Sequence, residues 1–193
     1  MYVLSFKYDF IKMDNRKWVW IDLELTGLNI NKDTIVEIAV VLSNTQGENL
    51  IYGPNITIHA DDSVLEAMDP FVINMHQTSG LYENIKASHT TLHQAEELIL
   101  TFLQDNNIEN GIIAGNTVHM DRLFLIKDMP RLFESCLHPY KILDVTAFKE
   151  IARVWYPGLN PHTKVAPHRA FEDILGSIDE FLYYKQNIVK EAI

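Results

Sequence analysis

The segment Trp18–Leu25 alternates between two kinds of side chain, as a β-strand does when its two faces meet different surroundings. One face is wholly apolar and consists of Val19, Ile21, Leu23 and Leu25. The other face begins with two tryptophans and ends in two carboxylates, Asp22 and Glu24, just before the turn Thr26-Gly27. Ligands of open α/β sheets bind at the carboxyl ends of strands, so these acids are a candidate metal half-site. Acids are also common where a strand end meets water, and the pair alone leaves both interpretations open.

The remaining pattern predicts a mixed sheet. Thr34–Leu42 and Asn49–His59 are two further extended segments, and with the first they predict three consecutive antiparallel strands. Short strands and helices then alternate. The predicted strands are Gly111–Gly115 and Ile142-Leu143, and the predicted helices open at Asp69-Pro70 or span Thr91–Gln104, Val118–Lys127, Val145–Tyr156 and about His168–Asn187. This order predicts an α/β fold in which helices flank a mixed central sheet.

Length and composition indicate one domain. The 193 residues are 47% hydrophobic, enough for a substantial core, and we assign residues 18–190 to a single domain after an N-terminal extension of residues 1–17. The extension is mildly basic but lacks the Arg- and Ser-rich character of a good transit peptide. Because translation could begin at Met1 or Met13, we hypothesise a cytoplasmic protein with an additional mitochondrial form. No apolar run approaches the ~20 residues of a membrane-spanning helix, so no membrane association is expected.

The net charge limits the kinds of nucleic acid that the protein can bind, and the cysteine content indicates its redox environment. The formal net charge is −10 and the sixteen basic residues are scattered, which argues against a protein that grips long nucleic acid through many phosphates. A nucleic-acid substrate should therefore be short, or held through metal ions. The single cysteine, Cys136, excludes an internal disulfide framework and indicates a reducing compartment.

Further acidic residues are predicted to reach the rim where Asp22 and Glu24 end their strand. Asp121, in GNTVHMDRLFL, lies about one turn into a helix that follows a strand, although an acid there can also simply interact with the helix dipole. His168 and Asp173, in PHRAFEDIL, lie at the head of the last helix. Asp173 shares the apolar side of that helix, where an unpaired acid is costly.

Four carboxylates at one rim repel one another unless cations bind between them. Such an arrangement is typical of two-metal phosphoryl chemistry, in which two hard cations orient and activate a water molecule. Oxygen ligands favour Mg²⁺ or Mn²⁺ over zinc, and a nearby imidazole can accept the proton of that water at neutral pH.

The motifs WIDLELTGL, GNTVHMDRLFL and HRAFEDI, in this order, resemble those of the DEDDh exonucleases, which have an RNase H-like fold. Among these the chain most resembles the oligoribonucleases, 3′-to-5′ exoribonucleases that cleave very short RNA and dinucleotides, over about Trp18 to Lys190. The resemblance implies that two cations are held by Asp22, Glu24, Asp121 and Asp173. It also implies that His168 is the general base.

The resemblance further implies substrate-binding positions. Leu28 and Phe71 match residues that wedge against the bases; the family commonly has Trp at the second, so Phe71 offers less stacking area. Four other residues match substrate contacts: His76 near the terminal phosphate, Thr117 where Ser is frequent, and the pair Tyr140-Lys141. That pair matches a Tyr-Arg pair that the neighbouring subunit of a homodimer supplies. Lys141 replaces the arginine, so a single ammonium charge would take the place of a guanidinium that binds phosphate through two hydrogen bonds.

Three alternatives remain open at this stage. His89 and His93 have the i, i+4 spacing of zinc ligands, but no third ligand is evident nearby and an exposed helix face is the simpler interpretation. A DEDDh deoxyribonuclease shares the core motifs. A catalytically silent module that binds short nucleic acids would keep the fold without the chemistry.

Overall fold

The structure is a computed structural model that describes residues 16–163 and 167–189. Most of the predicted N-terminal extension lies outside these residues. Five strands lie within them: β1 (Lys17–Leu25), β2 (Ile35–Asn44), β3 (Ile51–Thr57), β4 (Gly111–Gly115) and β5 (Leu137–Asp144). They form one sheet in the order β3-β2-β1-β4-β5. The first three strands pair antiparallel, whereas β4 runs parallel to β1 and β5 parallel to β4, which confirms the predicted mixed sheet.

The described part of the chain also contains eight helices. In chain order they are α1 (Asp62–Glu66), α2 (Pro70–Thr78), α3 (Leu81–Ala87), α4 (Leu92–Asp105), α5 (His119–Asp128), α6 (Pro130–Cys136), α7 (Val145–Trp155) and α8 (Ala170–Ile188). Several begin where the sequence supplies a cap. Asp69 accepts a hydrogen bond from Phe71 N before α2, and Thr91 forms a capping box with Gln94 before α4. None of these helices is long and apolar enough to cross a bilayer.

Helices pack on both faces of the sheet. On one face the apolar side of β1 packs with α4, α5 and α6 in a core that includes Val19, Ile21, Leu23, Ile99, Leu103, Phe124 and Leu132. On the other face Trp20 packs with α8 through Ala170, Ile174, Ile178 and Phe181. Because side chains alternate along a strand, Asp22 and Glu24 share the face of Trp20. They therefore point to the side of the sheet that α8 covers.

The structure corrects two of the predicted elements and adds three helices. The strand predicted at 142–143 is longer, because β5 begins at Leu137, and residues 139–142 are exposed at a sheet edge where no apolar alternation marks a strand. The last helix begins at Ala170 rather than at His168, which has a φ of +57°. The helices α1, α3 and α6 were not predicted, since they have only five to seven residues and show little periodicity.

The two sides of α4 give a test of this packing. Ile99 has no exposed surface, whereas the adjacent Leu98 is 52% exposed. We expect Ile99→Ala to lower the free energy of unfolding by about 2–5 kcal/mol, because it leaves a cavity in the core. The control Leu98→Ala should change it by less than about 0.5 kcal/mol. Urea denaturation measures both, and equal losses would contradict the assigned orientation of α4.

Candidate active site

Two acids lie at the carboxyl end of β1. Glu24 is 6% exposed and Asp22 is half-buried. Both point toward α8 for the reason given above. After them the chain leaves the sheet through the Thr26-Gly27 turn, which is held by the carboxylate of Asp33: it accepts hydrogen bonds from Thr26 Oγ1 (3.2 Å) and Asn29 N (2.8 Å). These hydrogen bonds fix the conformation of the turn that follows Glu24.

A third acid and the candidate base lie at the start of α8. Asp173 is in the first turn, is 7% exposed and accepts a hydrogen bond from Arg169 N at 3.1 Å. His168 is exposed and takes up a left-handed backbone conformation just before the helix. One ligand atom each of Glu24, His168 and Asp173 lies within 4.8 Å of the other two. The fold therefore brings together residues nearly 150 positions apart in the chain.

The fourth acid comes from α5. Asp121 lies in the first turn of this helix, and its Oδ1 accepts a hydrogen bond from Leu23 N at 3.1 Å. Leu23 is the residue between Asp22 and Glu24, so this bond holds Asp121 directly against the acidic end of β1. The structure thus brings the acids of β1, α5 and α8 to one end of the sheet.

The electrostatics of Glu24 reflect this crowding. Its pKa is raised from 4.5 to about 8, chiefly by burial and then by the negative charges of Asp173 and Glu37. Asp121 adds to the increase, and Arg169 opposes it. A buried carboxylate among other carboxylates is a strong attractor of cations. The donor set of carboxylate oxygens with one imidazole therefore fits a divalent metal ion.

His76, predicted to lie near the terminal phosphate of the substrate, is buried beside Glu24. Its side chain has no exposed surface, its Nε2 lies 2.9 Å from the carbonyl oxygen of Leu25, and its Nδ1 lies 3.9 Å from Glu24 Oε2. Burial lowers the pKa of the ring. In this conformation His76 connects α2 to the end of β1 and to Glu24 rather than facing a substrate.

A cleft of about 590 Å³ runs beside the acids. Phe71, at the start of α2, lines it together with His168, and its side chain is 74% exposed. Leu28, the other predicted wedge residue, is 71% exposed after the Thr26-Gly27 turn. The sequence analysis missed other lining residues, because nothing in a short helix distinguishes a cleft-facing side from a solvated one. They are Asn74, Met75 and Thr78 of α2, together with Ser79, Pro167 and Arg169.

Thr117 lies in the connection between β4 and α5. Its φ is +54°, an unusual value for a β-branched residue, and its backbone N–H donates to Asp144 Oδ1 (2.9 Å) and Thr146 Oγ1 (3.0 Å). Its hydroxyl lies 3.2 Å from that of Thr146. The exposed Thr117 side chain is thus fixed by residues at the end of β5 and the start of α7.

Tyr140 and Lys141 do not join the acidic group of their own chain. Tyr140 is 86% exposed on β5, and Lys141 lines a different cleft, of about 620 Å³, with Lys17 and Gly111. Lys17 and Gly111 are the first residues of the parallel strands β1 and β4. This cleft therefore lies toward the opposite end of the sheet from Glu24.

The zinc alternative finds no support among the described residues. The group of Glu24, His168 and Asp173 is the one potential metal cluster that the described residues form. His93 lies 3.9 Å from Glu97 on the exposed side of α4, and Glu97 also pairs with Arg131. His89 and His93 are therefore better explained as surface residues.

The sequence analysis also missed a buried ion pair between Glu37 of β2 and Arg169. Glu37 has no exposed surface, and Arg169 Nη2 donates to its Oε1 at 2.7 Å. The available signal was an acid inside the apolar run IVEIAVVL of a buried strand, since such an acid requires a partner. Only the fold shows that this partner is the residue after His168.

Comparisons with known proteins agree with this geometry. The RNase T exonuclease model matches residues 19–181. A probable oligoribonuclease of Dictyostelium discoideum is 41% identical over 188 residues, covering 96% of this chain and 97% of that protein. The mitochondrial oligoribonuclease of Homo sapiens is 41% identical over 182 residues (92% and 76%), and the oligoribonuclease of Mycobacterium avium is 40% identical over 172 residues (87% and 79%).

Solved structures show the same fold at low sequence identity. An apo form of exonuclease I superposes with a TM-score of 0.65 at 14% identity, over 89% of this chain. A zinc-bound exonuclease I of E. coli in complex with single-stranded DNA gives 0.63 at 14% identity, over 90% of this chain. This chain spans only about two fifths of those proteins, 42% and 41% of their lengths. On the sequence comparisons and the fold together, the chain belongs to the oligoribonucleases within the exonuclease family.

Proposed function

We propose that the protein, a 3′-to-5′ exoribonuclease by its family, releases nucleoside 5′-monophosphates from very short RNA, dinucleotides above all, by a two-metal mechanism. The observation that carries the mechanism is the group formed by Glu24, His168 and Asp173, whose ligand atoms lie within 4.8 Å of one another. Asp121 is bonded to the same end of β1. The arrangement supplies oxygen ligands and a candidate base at one point of the molecule.

Asp22, Glu24, Asp121 and Asp173 would hold two ions of Mg²⁺ or Mn²⁺. Carboxylates suit both metals, and burial first, with the neighbouring negative charges second, raises the pKa of Glu24 and so disfavours its ionised form in the absence of a cation. When bound, the two cations orient the attacking water and stabilise the leaving oxygen of the phosphodiester.

His168 is our candidate for the general base. It is exposed, and one of its ring nitrogens lies within 4.8 Å of ligand atoms of Glu24 and Asp173. A water bound beside these carboxylates would be within reach of the imidazole, which would accept its proton at a ring nitrogen. The adjacent Arg169, held by Glu37, limits how far His168 can move.

The cleft from Phe71 to His168 is our candidate for the substrate site. The aromatic face of Phe71 and the side chain of Leu28 are both exposed and would stack against the terminal bases. A cleft of about 590 Å³ suits a few nucleotides rather than a long strand. With a net charge of −10, the protein would bind the phosphates of its substrate chiefly through the cations.

A homodimer would complete each site. Tyr140 and Lys141 lie on the edge strand β5, and Lys141 lines the cleft at the opposite end of the sheet from Glu24, which favours a role in the site of a neighbouring subunit. Exposed apolar side chains also lie on β5 and α7: Ile142 (38%), Ile151 (36%), Val154 (65%) and Trp155 (70%). Such a surface favours association with a second copy of the chain.

For the location in the cell, we keep the hypothesis of a cytoplasmic protein with an additional mitochondrial form. The support is the naming of the human and mouse relatives, at 41% identity, as mitochondrial oligoribonucleases. N-terminal sequencing of the native protein from each compartment tests whether translation begins at Met1 or Met13.

The activity can be tested with 5′-labelled RNA of two nucleotides and longer, with matched DNA, in Mn²⁺ or EDTA. We expect metal-dependent cleavage that is fastest on the dinucleotide. Asp22→Ala should abolish it, and His168→Ala should lower kcat about 10²–10⁴-fold through loss of the general base. Asp105→Ala, which removes an exposed acid of α4, serves as the control. If the wild-type protein cleaves long DNA faster than the RNA dinucleotide, it is a deoxyribonuclease. If the wild-type protein binds the dinucleotide but does not cleave it, it is a binding module.

The raised pKa of Glu24 predicts an unusual pH dependence of stability in EDTA. Between pH 4.5 and 8 the folded protein keeps a proton on Glu24 that the unfolded chain has lost, so this residue lowers stability as the pH rises. The contribution of Glu24 to the free energy of unfolding should fall by up to about 1.4 kcal/mol per pH unit in this range. We expect Glu24→Gln to raise the Tm relative to wild type increasingly from pH 5 to pH 8. Glu172→Gln, an exposed acid of α8, is the control, and a pH-independent difference would contradict the assignment.

Subunit mixing tests whether Tyr140 acts across an interface. Asp22→Ala and Tyr140→Ala chains should each be impaired, but in a mixed dimer the site that retains Asp22 receives Tyr140 from the other chain. Random mixing should therefore restore about a quarter of the wild-type sites. Light scattering tests whether the protein is a dimer. In the control, Asp22→Ala chains are mixed with chains that carry both Asp121→Ala and Tyr140→Ala, so that the site retaining Asp22 lacks Asp121 and no activity should return. Activity no greater than the sum of the separate variants would show that Tyr140 serves its own chain or none.

A further inference from the structure

Glu37 is an acid with no exposed surface near the start of β2. Its carboxylate accepts hydrogen bonds from the Arg169 guanidinium, at 2.7 Å from Nη2 and 3.2 Å from Nε. Ala170 N (2.9 Å) and Thr57 Oγ1 (3.3 Å) complete its coordination. A buried carboxylate with this many donors is strongly fixed in one orientation.

The pair lies directly beside the candidate metal ligands. Glu37 is the cross-strand partner of Glu24, and opposite residues of antiparallel strands present their side chains on the same face. Arg169 follows His168 in the chain, and its backbone N–H donates to Asp173. A fixed positive charge therefore stands next to the acids that are expected to bind cations.

Such a charge is a potential competitor of the metal. Arginine binds carboxylates in bidentate geometry and remains charged at all accessible pH values. Arg169 already acts on Glu24 electrostatically, since its charge opposes the rise in the pKa of that acid. If the carboxylate of Glu37 were absent, the guanidinium would be left with Glu172 and Glu24, whose charges also act on it, and of these two Glu24 is the buried one.

We propose that Glu37 is a positioning residue that holds the Arg169 guanidinium away from Glu24 and Asp173, so that metal ions rather than arginine neutralise these two acids. The inference rests on the proposed metal site. It explains why a buried strand carries an acid at this position, and why that acid binds both the side chain of Arg169 and the first backbone N–H of α8. Glu37 contacts neither substrate nor metal in this scheme and acts through Arg169.

The test measures Mn²⁺ binding to the substrate-free protein by isothermal titration calorimetry. Glu37→Gln should weaken Mn²⁺ binding about tenfold or more, the usual scale for residues that orient metal ligands. Adding Arg169→Met to this variant should restore the affinity to within about threefold of wild type, because the competing charge is gone. Arg169→Met alone should bind Mn²⁺ as well as wild type or better.

Glu96→Gln is the matched control. Glu96 is 5% exposed and accepts a hydrogen bond from Leu132 N at 3.1 Å, on the other side of the sheet from α8. Its loss should lower the Tm without changing Mn²⁺ affinity.

A second readout is the activity of Glu37→Gln. If the defect is competition between Arg169 and the metal, saturating Mn²⁺ should bring kcat of Glu37→Gln to within about threefold of wild type.

The outcomes separate the two proposals. Failure of the wild-type protein to bind Mn²⁺ would overturn the proposed metal site itself. If wild type binds and Glu37→Gln binds equally well, or if the double variant binds no better than Glu37→Gln, the role of Glu37 is wrong while the metal site stands. Should Glu37→Gln fail to fold, Arg169→Met decides alone: a tenfold loss of Mn²⁺ affinity in it would show that arginine assists the metal rather than competing with it.

Discussion

The mutual repulsion of buried carboxylates at the end of β1 is the constraint on which the candidate site depends. Glu24 is almost fully buried and lies among three other negative groups, and burial first and these charges second raise its pKa to about 8. A fold selected for stability alone would not place acids in this way. The arrangement becomes favourable when cations bind, so stability and metal binding are coupled at this point.

The rest of the fold places these carboxylates at the end of β1. The alternation of β1 sends its acids to the side that α8 covers, while its apolar face anchors the strand in the main core. The bond from Leu23 N to Asp121 attaches α5 to the same end of the strand, and the buried Glu37–Arg169 pair attaches the start of α8. The acids are thus held by a rigid sheet rather than by loops, as two-metal chemistry requires.

The candidate substrate contacts are less rigidly placed and are divided between two regions. Phe71 projects from the start of α2 and Leu28 from the turn after β1, and both are exposed, so stacking can accommodate any base. Tyr140 and Lys141 lie on the far edge of the sheet, where they are available to a second copy of the chain. In the proposed dimer, a small acidic protein would gain the positive charge for a phosphate from its partner.

The sequence alone determined the strand order along the chain, the main helices and the identity of the five candidate catalytic residues, because period-2 and period-3.6 patterns and short acidic motifs are local properties. It missed the short helices and the true extent of β5, where exposure at an edge removes the pattern. Tertiary structure alone decided that His76 is buried against Glu24, that Lys141 lines a cleft toward the other end of the sheet, and that Arg169 pairs with Glu37. These are contacts between distant segments, and their energies depend on burial and distance, which no local pattern encodes.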